Sequence, residues 1–235
     1  MNKLAVVTAG SRGIGKAIVM RLAQAGFDVA TCSRSEEKLQ QLQQEVQTAY
    51  PSATIYIKPT DMADKAQVDA FTDFVKALER PVELLVNNAG LFVPGKVHEE
   101  ADGVLEQMIN TNLYSAYYAT RSLVADMMAR KSGYIFNICS TASIIPYING
   151  GSYCISKFAL LGFSKVLREE MKEHGVRVTA ILPGATLTDS WAGVDLPEER
   201  FMPPEDVADA LYSAYAMSTR TVVEEILIRP QLGDI

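Results

Sequence analysis

Short apolar runs alternate along this chain with longer segments in which apolar residues recur at helical spacing. Seven runs are rich in β-branched residues, and most are continuous, as in strands of a parallel sheet buried on both faces. The predicted strands are Leu4–Thr8, Asp28–Cys32, Thr54–Lys58, Glu83–Asn87, Tyr134–Cys139, Arg177–Leu182 and Glu225–Ile228.

Helices are predicted between these runs, and glycines or prolines mark several of their ends. Gly26 and Gly175 follow two of them, whereas Pro51 and Pro81 stop two others. The predicted helices are Gly13–Ala25, Ser35–Ala49, Asp64–Glu79, Asp102–Arg130 (as two helices), Gly151–His174 and Pro204–Met217.

This alternation implies βαβ units with right-handed crossovers. We therefore expect an α/β fold of the Rossmann type, a doubly wound parallel sheet of about seven strands with helices on both faces. Residues 1–235 are expected to form a single domain. The longest stretch without clear periodicity is Pro183–Pro203, and its residues 186–202 are expected to form a substrate loop.

Composition excludes several classes of partner. The net charge is −6 and the basic residues are not clustered, which argues against nucleic acid and anionic membranes. The absence of a long apolar segment and of a secretory signal predicts a cytoplasmic protein. Cys32, Cys139 and Cys154 are expected to be reduced, and His98 and His174 are too far apart in sequence to suggest a metal site.

A glycine-rich loop, TAGSRGIG at residues 8–15, lies between the first predicted strand and the first helix. A helix N-terminus presents unpaired N–H groups and a positive dipole end, which together favour a phosphate. Glycines allow a tight turn and a close approach of the backbone to a ligand. The alternative is a turn that serves only packing.

The loop resembles the T-G-x-x-x-G-x-G motif of the short-chain dehydrogenase/reductase family. Gly13 and Gly15 match that motif, while Ala9 stands where its first glycine is expected. We expect the neighbouring Gly10 to adopt the backbone angle that disfavours alanine, so that the loop still binds a cofactor. The resemblance assigns the cofactor to Gly10, Ser11, Arg12, Gly13, Ile14 and Gly15.

The end of the second strand bears on which nicotinamide cofactor is used. An acid usually holds the ribose hydroxyls of NAD here, but this chain has Ser33 and Arg34. Arg34 can pair with a 2′-phosphate through its planar guanidinium, and Arg12 can approach from the other side. The resemblance therefore implies that NADP(H) is preferred over NAD(H). The alternative is that both arginines are solvated surface charges.

Two further stretches resemble cofactor-binding segments of the family. Asp61 and Met62 follow the third strand, where the family places an adenine contact, although Asp61 could equally be the N-cap of the helix near Asp64. The sequence NNAG at 87–90 resembles a signature that stabilises the sheet and passes beside the cofactor, which implicates Asn88, Ala89 and Gly90. A plain turn is the alternative for this stretch.

Tyr153 and Lys157 carry the most specific part of the resemblance, a Y-x-x-x-K pattern. Residues at i and i+4 share a helix face, and a nearby cation lowers the pKa of a phenol from its usual value near ~10. Such a phenol can exchange a proton with a ketone or an alcohol. A surface pair is the alternative for an isolated pattern of this kind.

The family spacing adds two residues to a proposed catalytic set. Ser140 precedes Tyr153 by 13 residues and is expected to hold the substrate oxygen, with Thr141 and Ser143 as neighbouring alternatives. Asn112 matches an asparagine that interrupts a helix and organises a water beside the lysine; a helix cap is a compatible role. The stretch 183–188 resembles P-G-x-x-x-T, and this implicates Pro183, Gly184, Thr186 and Thr188 in cofactor binding.

Together these motifs imply an oxidoreductase that transfers hydride between NADP(H) and a carbonyl/alcohol substrate. Alternatives are a non-catalytic NADP(H)-binding sensor, a member using bound cofactor for isomerisation or dehydration, and, as a narrower guess, a 3-oxoacyl-thioester reductase. The substrate pocket is expected from Thr186–Met202, Phe92–Val97 and Ile144–Gly150.

Three further features of the sequence concern subunit assembly, two cysteines and the C-terminal segment. Family members often pair through the helices that match Asp102–Arg130 and Gly151–His174, which implies a homodimer or homotetramer. The alternative is that the apolar residues of these helices pack within one subunit. Cys139 and Cys154 flank the proposed site and are expected to fill space rather than to sense redox state. The chain ends Ile228–Ile235 without the closing glycine pair common in the family, so the resemblance does not predict how this segment packs.

Overall fold

The computed structural model describes residues 2–191 and 193–235, so Met1 and Ala192, the latter in the predicted substrate loop, lie outside the described residues. Seven strands form one parallel sheet in the order β3-β2-β1-β4-β5-β6-β7, which confirms the predicted fold class. The strands are β1 (Lys3–Val7), β2 (Phe27–Ser33), β3 (Ile55–Pro59), β4 (Val82–Asn87), β5 (Gly133–Ile138), β6 (Val176–Pro183) and β7 (Glu225–Ile228).

Helices connect the strands, and one of the predicted helical segments contains an irregular turn. The long segment predicted at 102–130 divides into two α-helices separated by a π-helical turn at Asn110–Tyr114. The α-helices are α1 (Gly13–Gln24), α2 (Glu36–Ala49), α3 (Lys65–Lys76), α4 (Val104–Ile109), α5 (Ser115–Arg130), α6 (Gly151–Met171) and α7 (Pro204–Ala216).

The sheet is covered on both faces, which explains its continuous apolar strands. Ala5 and Val7 of β1 belong to a core with α1, α2 and α7, whereas Leu4 and Val6 belong to a core with α3, α5 and α6. Alternate residues of a strand point to opposite faces, so a strand buried on both sides must be apolar at every position.

The strand order reverses direction between β1 and β4, which are hydrogen-bonded neighbours although β2 follows β1 in sequence. The loops that leave the carboxyl ends of β1 and β4 must therefore diverge to opposite faces of the sheet. In open parallel sheets, ligands bind in the crevice that this divergence creates. The glycine loop after β1 and the NNAG stretch at the end of β4 both lie at this crevice.

Candidate active site

Hydrogen bonds tie the glycine loop to the end of β4. The Thr8 hydroxyl accepts from the backbone N–H groups of Asn88, at 2.9 Å, and Ala89, at 3.0 Å. In return, the Asn88 amide donates to the carbonyl oxygens of Thr8, at 3.0 Å, and Ala9, at 3.1 Å. Asn88 therefore fixes the path of the loop, which goes beyond the plain turn considered for this stretch.

The expectation about Ala9 and Gly10 is wrong. Ala9 itself lies in the left-handed region with φ 55°, while Gly10 does not have a positive φ. An alanine in that region is strained by ~1 kcal/mol or more. The two Asn88 bonds to the carbonyls of Thr8 and Ala9 offset this strain by fixing the peptide geometry on both sides of residue 9.

The glycines of the loop are needed because their surroundings leave no room for a side chain. A Cβ at Gly10 would stand 2.2 Å from the Thr31 hydroxyl oxygen, which is itself bound to the Val7 carbonyl. A Cβ at Gly15 would stand 2.4 Å from both the Ala9 carbonyl oxygen and the Asn88 amide nitrogen. The close packing of strand, loop and helix therefore requires Gly10 and Gly15.

The N-terminus of α1 is suited to an anionic group. Its N-cap residue, Arg12, makes no side-chain cap hydrogen bond, and its first turn carries no acid. The N–H groups of that turn point toward the crevice end of β1, where a phosphate would be stabilised by the helix dipole. The residues present thus fit the pyrophosphate of a dinucleotide.

The two arginines predicted for a 2′-phosphate differ in their surroundings. Arg34 is exposed just after β2, and no acid stands at Ser33, whose hydroxyl donates to the Ser35 carbonyl. Arg12 forms an ion pair with Asp189 of the substrate loop, with its Nη1 at 2.7 Å from the carboxylate. Both partners of that pair are more than half exposed, so solvent screens the attraction strongly.

The N-cap alternative for Asp61 is also wrong. Asp64 caps α3 by accepting from the N–H groups of Ala66 and Gln67, whereas Asp61 accepts from Ala63 N in the preceding turn. Met62 is buried with its sulfur 3.6 Å from that of Cys32. Asp61 and Met62 therefore lie in the turn after β3, at the carboxyl edge of the sheet.

The proposed catalytic pair lies on α6, and Lys157 is not on the surface. Its side chain is buried, and its Nζ donates to the Ile138 carbonyl at 2.8 Å, which rules out the surface-pair alternative. The ammonium is 5.8 Å from the centroid of the Tyr153 ring. Burial lowers the pKa of Lys157 to about 8, because removal from water disfavours the charged form.

Two opposing effects act on the pKa of the Tyr153 phenol. Burial raises its pKa, and a hydrogen bond with the Ser140 hydroxyl lowers it. Among the three candidate hydroxyls, Ser140 is the one that influences the pKa of Tyr153, and its oxygen also accepts from Ala142 N at 3.1 Å in the turn after β5. The lowering expected from Lys157 and a bound oxidised nicotinamide stays a prediction for the cofactor-bound protein.

The π-helical turn directs Asn112 into the protein. Its Oδ1 accepts from Leu91 N at 2.7 Å, and its Nδ2 donates to Leu91 O at 3.0 Å and to the Ser156 hydroxyl at 2.8 Å. Because these bonds reach other segments, Asn112 is not a helix cap. A Cβ at Gly90 would be 3.6 Å from Lys157 Nζ and 3.8 Å from Asn112 Oδ1, so both groups lie over this glycine.

Ser156 is a residue that the sequence analysis missed. It is fully buried, accepts from Asn112 and donates to the Tyr153 carbonyl at 2.7 Å, joining the π turn to α6. Its spacing gives a weak signal, since positions 153, 156 and 157 share one face of a helix. Its partner could not be inferred, because Asn112 is distant in sequence.

The loop after β6 packs against the glycine loop on one side and the chain terminus on the other. A Cβ at Gly13 would be 3.1 Å from the Thr188 methyl group, while one at Gly184 would be 2.4 Å from Asp234 Oδ1. The Thr186 hydroxyl donates to the Gly184 carbonyl, and Gly184 N donates to Ile228 O. The unusual C-terminus thus covers the Pro183–Gly184 turn within the same subunit.

The surroundings of the phenol include aromatic and sulfur groups. The Phe92 ring meets Tyr153 edge-to-face with centroids 4.9 Å apart. Within the predicted substrate loop, Trp191 packs on Phe201 with centroids 5.1 Å apart. Burial raises the pKa of Cys139 to about 11, so its thiol stays protonated and supports the packing role. Cys154 is buried as well.

Two further properties of the described residues concern membranes and metal ions. Their helices are all too short or too polar to span a lipid bilayer. Groups of three or more His, Cys, Asp or Glu side chains arranged to hold a metal ion do not occur among them.

Comparison with known proteins gives consistent matches. Residues 3–199 match the model of a family described as short chain dehydrogenase. A sepiapterin reductase of Chlorobaculum tepidum is 32% identical, with 100% of this chain and 99% of that protein covered. A 3alpha-hydroxysteroid dehydrogenase of Mediterraneibacter gnavus is 31% identical, with 96% and 94% covered.

Similar solved structures carry a nicotinamide cofactor. A metagenomic short-chain oxidoreductase in complex with NADP has a TM-score of 0.85 at 31% identity, with 97% of each chain covered. L-Sorbose reductase from Gluconobacter frateurii, complexed with NADPH and L-sorbose, has a TM-score of 0.90 at 26% identity, with 97% of this chain and 95% of that chain covered.

The strain at residue 9 yields a paired prediction. Ala9→Gly should raise the free energy of unfolding by about 1 kcal/mol, because glycine adopts a positive φ without steric cost. The dissociation constant for NADPH should change by less than tenfold. Gly10→Ala should weaken NADPH binding severely, because its methyl group would displace Thr31. Denaturant titration and fluorescence binding measure the two quantities; a hundredfold gain in affinity in Ala9→Gly would contradict the prediction.

Proposed function

The chain belongs to the short-chain dehydrogenase family, and from this premise we propose that it is an NADP(H)-dependent oxidoreductase acting on a carbonyl/alcohol pair. The observation that carries the proposal is the convergence of Tyr153, Lys157, Ser140 and Asn112 at the carboxyl edge of the sheet. Ser140 lies beside Tyr153, where it lowers the pKa of the phenol, and the buried Lys157 is one helical turn away on α6.

The proposed cofactor site extends from the glycine loop to the phenol. The pyrophosphate would bind at the uncapped N-terminus of α1, and Lys157 would hold the nicotinamide ribose. The residues proposed to contact the cofactor are Gly10, Ser11, Arg12, Gly13, Ile14, Gly15, Ser33, Arg34, Asp61, Met62, Asn88, Ala89, Gly90, Tyr153, Lys157, Pro183, Gly184, Thr186 and Thr188.

In the proposed reaction, side chains of the protein supply the proton, and the reduced nicotinamide, when bound, supplies a hydride to the carbonyl carbon. The Ser140 hydroxyl donates a hydrogen bond to the substrate oxygen and holds it beside Tyr153. The phenol gives its proton to that oxygen and becomes a phenolate. Oxidation of an alcohol reverses each of these transfers.

Lys157 and Asn112 would restore the proton. With its pKa lowered to about 8, Lys157 is mostly protonated at neutral pH and can return a proton at modest cost. Asn112 Oδ1 accepts one hydrogen bond, from Leu91 N, and a carbonyl oxygen has a second acceptor position for a water beside the lysine. The proposed route thus runs from solvent through Lys157 to Tyr153.

Removing the phenolic hydroxyl tests the acid/base assignment. Tyr153→Phe should lower kcat at least a hundredfold, because general acid catalysis contributes about 10²–10⁴-fold, while NADPH binding stays largely intact. The measurement is NADPH oxidation with a panel of ketones and aldehydes. Tyr212→Phe on α7, which removes a hydroxyl far from the site, is the control.

The same panel separates the enzyme from a non-catalytic sensor. A sensor would bind NADPH without steady consumption in the presence of any carbonyl compound. The retention of all four reactive residues in one place favours the enzyme. Near-normal turnover in Tyr153→Phe would contradict the assignment of the phenol.

The exposed Arg34 supports the preference for NADP(H), since it can pair with a 2′-phosphate and no acid replaces it. We expect kcat/KM at least tenfold higher with NADPH than with NADH. Arg34→Ala should reduce that ratio at least tenfold, in line with about 1.5–3 kcal/mol for a hydrogen bond to a charged group. Arg220→Ala, at an exposed site away from β2, should not change it; a tenfold preference for NADH would reverse the assignment.

We also propose that the chain forms a homodimer or homotetramer through α5 and α6. These helices and the π turn expose large apolar side chains: Tyr114, Tyr117, Ile155, Phe158 and Val166. Uncovered apolar groups of this density are costly in water and mark an interaction surface.

Sedimentation velocity tests the assembly. The wild type should sediment as a dimer or tetramer, and Phe158→Asp should dissociate into smaller species, because a carboxylate would be buried without a partner. Circular dichroism of the same variant checks that it is folded. A monomeric wild type at micromolar concentration would contradict the proposal.

A further inference from the structure

A carboxylate outside the proposed catalytic set is bonded to the first turn of α6. Glu100 lies in the segment that leads from β4 to α4, and its side chain reaches the helix that carries Tyr153. One carboxylate oxygen accepts from the backbone N–H of Ser152 at 2.9 Å, and the other accepts from the Ser152 hydroxyl. Bonds of this charge-assisted kind are about twice as strong as neutral ones.

Two glycines make room for this side chain. A Cβ at Gly95 would be 2.7 Å from Glu100 Cγ, and a Cβ at Gly151 would be 2.1 Å from Glu100 Oε1. Neither glycine has a positive φ, so neither is required by its backbone conformation. At both positions, the space that a side chain would fill is occupied by the Glu100 side chain. Gly95 and Gly151 therefore form a closely fitting pocket, here called the cradle, around the Glu100 side chain. Such a fit is not expected of a chance surface contact.

The cradle is joined to α6 by the backbone as well. Gly95 N donates to the Asn149 carbonyl at 3.0 Å, and Gly95 and Gly150 form an isolated parallel bridge. Gly150, the N-cap residue of α6, has no side chain to offer the first turn. Glu100 supplies from a distant segment the acceptor that an N-cap side chain usually provides.

The same segment contacts the site at its other end. Leu91 exchanges two hydrogen bonds with the Asn112 amide, and the Phe92 ring lies against the ring of Tyr153. Glu100 binds Ser152, the residue immediately before Tyr153. Residues 91–100 therefore hold the helix that carries the phenol from two sides, at its ring and at its backbone.

We propose that Glu100 is a positioning residue for the reaction: by fixing the first turn of α6, it holds the Tyr153 phenol against Ser140 and the substrate oxygen. This inference rests on the proposed function. Glu100 is not among the residues proposed to touch substrate or cofactor, so its loss acts through the placement of Tyr153. A misplacement of 1 Å at a reacting group can cost on the order of 10²-fold in rate.

Three variants test the inference. Glu100→Ala should lower kcat at least tenfold and leave the NADPH dissociation constant within twofold, because the hydrogen bonds of the Glu100 carboxylate go to Ser152 and not to the glycine loop. Glu100→Gln should retain kcat within threefold, since its Oε1 can accept from Ser152 N and its Nε2 can donate to Ser152 Oγ. The matched control is Glu99→Ala, whose carboxylate is exposed and pairs with Lys96.

Hydrogen–deuterium exchange of the peptide around residues 150–155 gives a readout that does not depend on activity. Exchange at the Ser152 amide should rise at least tenfold in Glu100→Ala, but not in Glu100→Gln or Glu99→Ala. A general loss of stability would instead raise exchange throughout the sheet and lower kcat and NADPH affinity together, and that result would overturn the positioning role.

Different results of these assays would contradict the positioning role of Glu100 and the proposed function of the protein. If the wild type reduces carbonyl compounds and Tyr153→Phe does not, but Glu100→Ala keeps normal kcat, the positioning role alone is wrong. If the wild type and Tyr153→Phe are equally inactive, the proposed function is wrong, and the positioning role of Glu100 is wrong with it.

Discussion

The hydrogen bonds between Thr8 and Asn88 are the constraint on which the site depends. At the carboxyl ends of β1 and β4 the chain leaves the sheet in opposite directions, and backbone groups there would lose their ladder partners. The Thr8 hydroxyl and the Asn88 amide satisfy these groups across the gap. The same bonds fix the glycine loop, and the loop in turn aims the N-terminus of α1 at the crevice.

Backbone conformations of higher energy occur where this site is built. Ala9 has a positive φ, and the segment around Asn112 forms a π-helical turn. Each costs free energy locally, and each is held by side-chain bonds to another segment, from Asn88 in one case and between Asn112 and Leu91 in the other. Backbone strain of this kind, held in place by the surrounding structure, is typical of functional sites.

The proposed catalytic groups come from segments that share no local structure. Ser140 follows β5, Tyr153 and Lys157 lie on α6, and Asn112 lies between α4 and α5. Buried hydrogen bonds join Lys157 to the end of β5 and Asn112 through Ser156 to the backbone of Tyr153, and Ser140 lies beside the Tyr153 phenol. Burial gives these bonds their strength, and it also sets the pKa of Lys157.

The sequence by itself determined the layers of the fold and the helix face that Tyr153 and Lys157 share. Continuous apolar strands require a sheet covered on both faces, and the i, i+4 spacing of Tyr153 and Lys157 requires a shared helix face. Both follow from periodicity, which is local. Tertiary structure decided that Ala9, and not Gly10, has the positive φ, that Ser156 receives Asn112, and that Glu100 reaches Ser152. Those outcomes depend on the distances between segments far apart in the chain, and only the packing of strands and helices fixes such distances.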